Sequence, residues 1–443
     1  MNYVVQIPHF LKLTIAFIFL FISGAVHCQV SAPADSLKAD SLRIKVHQAN
    51  PPRENLANQY DVSDLFHTIL HHGKKTDSTK KRSSVTIVPN IAANPTIGFQ
   101  LGIKGVAGKR LGTDPKTLFS VAATSASITT KGIIYFYFNH NVFTNGNKWN
   151  LQGNLVVAKT VTPDYGQGIG NAYTGSDVAD AVLADNARKV YPIHSIYYNF
   201  REKVYKNISK NLFLGAGASF EIRRNIQNKD TTNNATPSSV YNNKYGFPQN
   251  KYSANGLLFN IQYITRDNPN RAYSGIYTDV GIRVNQTWLG STKDAVQLTT
   301  DFRKYFSLSA KNPETVLAVW NWGSYQLAGH VPYIELPGTA RDGTFRSGRG
   351  YTAQYFKGTQ FNDTEAELRF PLLKNKFLGG VVFGNLQSAN DFHGTMLFQT
   401  FRTGYGAGLR VLFNKTTRTN LALDYAFGEF GNKGFFLNLN ETF

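Results

Sequence analysis

Three short fragments carry side chains that hydrolytic or metal chemistry could use: His194-Ser195, Asp391-Phe392-His393 and His71-His72. The first sets a base beside a hydroxyl, as a lipid hydrolase would. The second sets a carboxylate beside an imidazole, as a surface protease would. Both lack the remaining partners in a recognisable arrangement. His71-His72 reads as the end of a short helix rather than a metal site. No G-x-S-x-G, H-E-x-x-H or P-loop occurs. The single cysteine, Cys28, excludes an internal disulfide framework and a cysteine-cluster zinc site. These residues therefore point to a protein that is not an enzyme, with no cofactor and no metal.

What must position the remaining polar side chains is set by export and by a strand repeat. Leu13 to Val26 is an apolar run preceded by Lys12 and followed by small residues. It reads as a secretory signal, residues 1–28, leaving Gln29 first. Lipidation of Cys28 is the alternative, but Ala25-Val26-His27 makes a poor lipobox. The 443 residues are only 17% charged yet carry a formal net charge of +19, which calls for polyanionic neighbours. Export sets nucleic acid aside, so lipid phosphates and lipopolysaccharide are the expected partners.

Residues 29–83 are polar and end in the basic cluster Lys80-Lys81-Arg82. Within them Val62, Leu65, Phe66, Ile69 and Leu70 repeat at helical spacing, with Asp61 as N-cap. This predicts one amphipathic helix over 61–71, lying on the inner membrane surface, against a barrel base, or in a loosely ordered linker. From Ser84 the period becomes two, in pieces of about ten residues, the length of a membrane strand. Val280, Ile282 and Val284 alternate with Gly281, Arg283 and Asn285. Leu421, Leu423, Tyr425 and Phe427 alternate with Asn420, Ala422, Asp424 and Ala426. The polar face carries charges of both signs and the other face is apolar and aromatic, as in a barrel with a polar lumen and a lipid-facing exterior. The pattern predicts a sixteen-stranded antiparallel transmembrane β-barrel over 84–443, opening with a short strand Ser84–Ile91 ended by Asn94-Pro95. An even count puts both termini in the periplasm and every long connection, 330–358 included, on the opposite side. No later segment carries a convincing helical period.

Further residues follow in a telling order: Arg349-Gly350-Tyr351 in the loop 330–358, Glu365 to Pro371, Gly380 to Asn385, Gly406 to Arg410, and a last strand ending in Phe443. This order resembles the BamA/TamA-type outer-membrane protein superfamily, the bacterial surface antigen family. The resemblance implies a sixteen-stranded barrel whose loop after the eleventh strand folds back into the lumen with an Arg-Gly-aromatic tip. It implies that acidic residues on the next two strands hold the tip Arg349. Glu367 matches the first, and alternation with Leu368 and Phe370 turns it inward. Asn385 replaces the second, which weakens one charged contact. Gly348 replaces the β-branched residue usual before the arginine. Phe443 stands as the outer-membrane sorting signal, although Glu441 departs from the pattern. Only 55 residues run from Gln29 through Ser83, with no strand pattern, so the chain looks like a member lacking POTRA domains.

Two functions stay open. One is a barrel that inserts or translocates protein or lipid through a seam between its first and last strands, with outer-membrane or secreted proteins as clients. The other is a passive channel or surface-structural barrel plugged by the loop. Pro89 in the first strand favours a weak seam, because proline removes a ladder donor.

Overall fold

The computed structural model describes residues 56–70, 85–94, 98–169, 190–228, 236–392 and 394–443. The apolar run Leu13 to Val26, Cys28, residues 29–55, His71-His72, Lys80-Lys81-Arg82, Pro95 and His393 lie outside them. Sixteen strands form one antiparallel sheet in chain order. They begin with β1 (Val85–Asn94), β2 (Gly98–Arg110), β3 (Phe119–Thr129), β4 (Ile134–Phe143) and β5 (Trp149–Thr162). Next come β6 (Ile193–Ser209), β7 (Leu212–Asn228), β8 (Tyr252–Ile264), β9 (Gly275–Asn285), β10 (Ala295–Ser307) and β11 (Val316–Gly329). The last five are β12 (Gln360–Pro371), β13 (Leu378–Ala389), β14 (Arg402–Asn414), β15 (Thr419–Gly428) and β16 (Lys433–Leu439).

The alternation that drives each strand is visible in its exposure. On β9, Tyr277, Asp279 and Arg283 are buried within the barrel while Ile282 is exposed on its outer face. Phe136, Phe138, Phe259, Tyr405, Tyr425 and Phe427 are also exposed, an arrangement that only a lipid surround makes favourable. Inside, polar groups satisfy one another across strands. Asp279 accepts from Tyr205 Oη and Asn260 Nδ2, each at 2.5 Å, and from Gln262 Nε2 at 2.9 Å. The connections β5–β6, β7–β8 and β11–β12 are long and share one end of the barrel; the other end carries short turns.

β1 and β16 are the two edges of the sheet. They lie side by side, yet no backbone ladder joins them among the described residues. The expectation of a short first strand is corrected: β1 runs ten residues, to Asn94, and β16 is the short one at seven. Proline's missing N–H at 95 does not shorten the strand before it, since Asn94 still pairs with Gly98. Pro89 stands in β1 opposite Ile103 of β2 and is exposed.

Among the described residues two short α-helices flank the barrel. Helix α1 (Val62–Leu70) has a reciprocal cap, Asp64 N donating to Asp61 Oδ1 and Asp61 N to Asp64 Oδ2, both at 3.0 Å. It sits against the short-turn end. Lys415 Nζ reaches Asp64 at 2.8 Å, Tyr60 N donates to Asn375 O at 3.0 Å, and the Tyr60 ring meets Phe377 edge-on. Phe66 and Ile69 stay exposed. Helix α2 (Pro237–Tyr245) was not expected from the sequence, because its apolar residues follow no helical stripe. Its ends are set instead by a Thr236–Ser239 capping box, Pro237 in the first turn and Gly246 in the left-handed region at φ 67°. Tyr241 anchors it, buried among Phe247, Tyr252, Val331 and Tyr333, with its hydroxyl donating to Val331 O at 2.8 Å.

Candidate functional site

The connection from β11 to β12 does not stay at the barrel mouth. Its aromatic residues Tyr351, Tyr355 and Phe356 are buried with Trp320 and Trp322 of β11 and Phe361 of β12. Such a loop needs its backbone and charges satisfied inside. Lys357 Nζ meets Asp164 Oδ1 at 2.8 Å, and Tyr333 Oη donates to the same oxygen at 2.7 Å. Glu335 accepts from Arg223 of β7 at 2.8 Å, from Tyr252 Oη at 2.6 Å, and from Arg341. Burial alone would raise the Glu335 carboxyl, but Arg341 and Arg223 beside it outweigh that and hold it well below the usual carboxylate range. A depressed carboxylate stabilises the docked loop at neutral pH and loses that contribution as pH falls.

At the tip, Arg349 is 4% exposed. Its Nη1 donates to Asp424 Oδ2 at 2.9 Å, and its Nη2 donates to Glu367 Oε2 at 2.5 Å and to Glu365. The guanidinium also lies 3.5 Å from the centroid of the Phe383 ring. The backbone at the tip requires glycine. Gly350 has φ 105°, and a Cβ there would stand 2.5 Å from Phe427 O. Gly348 has φ 74°, and its Cβ would meet Gln387 Oε1 at 2.6 Å. A β-branched residue before Arg349 therefore does not fit this loop. Tyr351 Oη donates to Thr403 O at 2.5 Å and accepts from Glu429 N at 2.9 Å, pinning the tip to β14 and to the turn after β15.

Around the tip the charges form one lattice. Arg369 joins Glu367 at 2.5 Å. Arg410 joins Asp424 at 2.5 Å and Glu441 at 2.6 Å. Glu441 also accepts from Asn420 Nδ2 at 2.8 Å and lies 3.6 Å from Arg271. Each member is nearly fully buried, so each depends on its partners.

The structure brings Arg349 and Glu367 together. It gives Asn385 a different part from the one the sequence implied: its Nδ2 donates to the Arg349 carbonyl at 2.8 Å, not to the guanidinium side. The charge expected at that position comes from Glu365 and Asp424 instead, so the contact is replaced rather than weakened. Asp424 already stood on the polar face of its strand; its partner could not be read because that requires barrel geometry. The last strand, expected to end in Phe443, stops short of it. β16 ends at Leu439, Asn440 takes φ 70°, and the chain turns inward. Phe443 is buried 5.2 Å from Trp320, and its carbonyl accepts from Arg369 Nη2 at 2.7 Å. His194 and Ser195 are neighbours in β6, and Ser195 Oγ accepts from Arg223 Nη1 at 2.9 Å.

Residues 136–443 match the family model described as the Omp85 superfamily domain. Comparison with curated proteins gives no match. Among solved structures, the crystal structure of BamA from Haemophilus ducreyi lacking POTRA domains 1–3 is similar at 14% identity. The match covers 83% of this chain and 74% of that one, with a TM-score of 0.50. CdiB from Acinetobacter baumannii is similar at 12% identity, covering 82% and 61%, with a TM-score of 0.48. CdiB from Escherichia coli follows at 8%, 82% and 63%, with 0.49. This chain spans less than two thirds of either CdiB.

Proposed function

This chain belongs to the Omp85 superfamily, and from that membership we propose that it is a bacterial outer-membrane barrel that inserts or translocates client proteins through the seam between β1 and β16. The observation that carries the reading is the open edge. Fifteen strand pairs are laddered, while β1 and β16 lie side by side without a ladder among the described residues. A sheet edge in lipid leaves backbone groups unsatisfied, so a client strand would gain hydrogen bonds there. Pro89 in β1 and the seven-residue β16 keep the edge from closing strongly. The docked loop is compatible with this reading and with a plugged barrel alike, so the open edge carries the choice.

In this reading both termini face the periplasm, and the clients are outer-membrane or secreted proteins. The lipid-facing surface meets phospholipid and lipopolysaccharide, whose phosphates suit the excess positive charge. The barrel makes and breaks no covalent bonds.

The test is reconstitution of the full chain in vesicles. A urea-unfolded outer-membrane barrel is added as client, and its folding rate is followed beside ion conductance. The expected result is faster client folding with little conductance. Steady conductance without faster folding would instead indicate a passive channel.

A further inference from the structure

The end of β16 meets an arginine of the docked loop. Beyond the pairing of Leu439 with Leu421, Asn440 N donates to Asn420 O at 2.7 Å. In an antiparallel pair such bonds recur at every second residue, so the even-numbered residues of β16 ladder with β15. The amides and carbonyls of Phe435, Leu437 and Leu439 therefore point away from β15, toward the seam. They are the groups an added strand would pair with.

One of them is already taken. Arg346, in the connection from β11 to β12, donates through Nη2 to Leu439 O at 3.0 Å and through Nη1 to Glu441 O. The loop is shaped to deliver it. Asp342 Oδ1 accepts from Arg346 N and Ser347 N, each at 2.8 Å, and Asp342 Oδ2 accepts from Thr344 N at 3.0 Å. The turn so formed carries Phe345 at φ 59°, a conformation that persists only where its surroundings hold it. Leu439 lies at the short-turn end of the seam. It packs with Val106 of β2, the residue that pairs with Thr86 of β1. The end of β16 is thus held beside the start of β1 by an apolar contact and a loop-borne guanidinium, with no ladder among the described residues.

We propose that Arg346 is a clasp on the free edge of β16. While the turn 342–347 is in place, an entering strand pairs with Phe435 and Leu437 but not with Leu439. The proposal rests on the seam being the client's route, and it adds the residue that limits how far along β16 a client reaches. A guanidinium bond to a carbonyl is roughly twice as strong as the bond from a peptide N–H that would replace it. The entering strand therefore does not displace Arg346 unaided, and release of the turn frees the rest of the edge. Arg346 is a positioning residue that acts through β16.

The test uses the purified full chain in phosphatidylcholine vesicles. Nitroxides on Val85→Cys and Leu437→Cys report the width of the seam by their dipolar broadening, read against the singly labelled chains. Arg346→Ala should lose much of the broadening. Arg346→Lys, which can still hold one carbonyl, should keep most of it. Both variants should protect 330–359 from trypsin, because Arg349 and Lys357 still dock the loop. With the urea-unfolded outer-membrane barrel as client, Arg346→Ala should speed client folding by about tenfold, the equivalent of one charged hydrogen bond, and Arg346→Lys by much less. Broadening that is unchanged in Arg346→Ala would overturn the clasp. So would loss of loop protection in that variant, since the arginine would then hold the loop and not the edge. Client folding that wild type accelerates and Arg346→Ala does not accelerate further would overturn it as well. Reduced broadening with no client folding by either protein would support the clasp and count against the seam as the client's route.

Discussion

Arg349→Ala is expected to undock the loop and destabilise the barrel by about 3–5 kcal/mol, the cost of removing one partner from a buried ion pair. The magnitude follows from what is left behind. Glu365, Glu367 and Asp424 all direct oxygens at this guanidinium. Arg369 and Arg410 would remain to compensate Glu367 and Asp424, but Glu365 has no second cation among the described residues. The negative charges would then repel one another across a dry interface. Arg349→Lys should cost less than alanine but more than nothing, because a point charge cannot reach three carboxylates at once. Adding Glu365→Gln to Arg349→Ala should recover part of the loss, since it removes the charge left without a cation. Urea midpoints from heat-modifiable gel mobility measure stability, and trypsin cleavage within 330–359 reports undocking. Equal midpoints for wild type and Arg349→Ala would mean that the tip is not buried as described.

Glu441→Ala should have an effect of similar kind and slightly smaller size, about 3 kcal/mol. Its carboxylate faces Arg410 at 2.6 Å, Arg271 at 3.6 Å and Arg369 at 3.9 Å. Removing it leaves Arg271 without an acidic partner among the described residues and shifts Arg410 wholly onto Asp424, which Arg349 also needs. The variant should therefore loosen two places: residues 440–443, which should become open to carboxypeptidase, and the loop tip, which should become more open to trypsin. Glu441→Gln should retain the bond from Asn420 and lose only the charged part. A variant that frees the tail while leaving the tip protected would separate the two halves of the lattice.

These two residues also show where sequence reasoning stops. Strand number and sidedness were legible, because period two is a local property that each segment carries by itself. Glu367 could be turned inward from Leu368 and Phe370 alone. Its partner Arg369 is two residues away on the same face and was equally visible. Asp424 is different: it lies 75 positions from Arg349 along the chain, and only the inward fold of the loop brings that arginine to both β12 and β15. Glu441 read as a defect in an aromatic ending, because nothing local announces that Asn440 adopts φ 70° and turns the last residues inward. Helix α2 was hidden for a related reason. It is held by its caps and by the aromatic packing of Tyr241 and Tyr245, so it needs no amphipathic stripe. The length of β1 was misread because Pro95 was taken to end the strand several residues early, whereas proline constrains only its own position and the residue before it.

The seam is the central claim, and locking it is its most direct measurement. Pairs of cysteines are placed one in Val85–Asn94 and one in Lys433–Leu439. Client folding into vesicles is then timed before oxidation, after oxidation, and after reduction. The account predicts that oxidation links the two strands, that the linked barrel keeps its heat-modifiable folded form, and that client folding falls to the rate of empty vesicles and returns on reduction. Client folding that proceeds undiminished through a fully linked seam would contradict it.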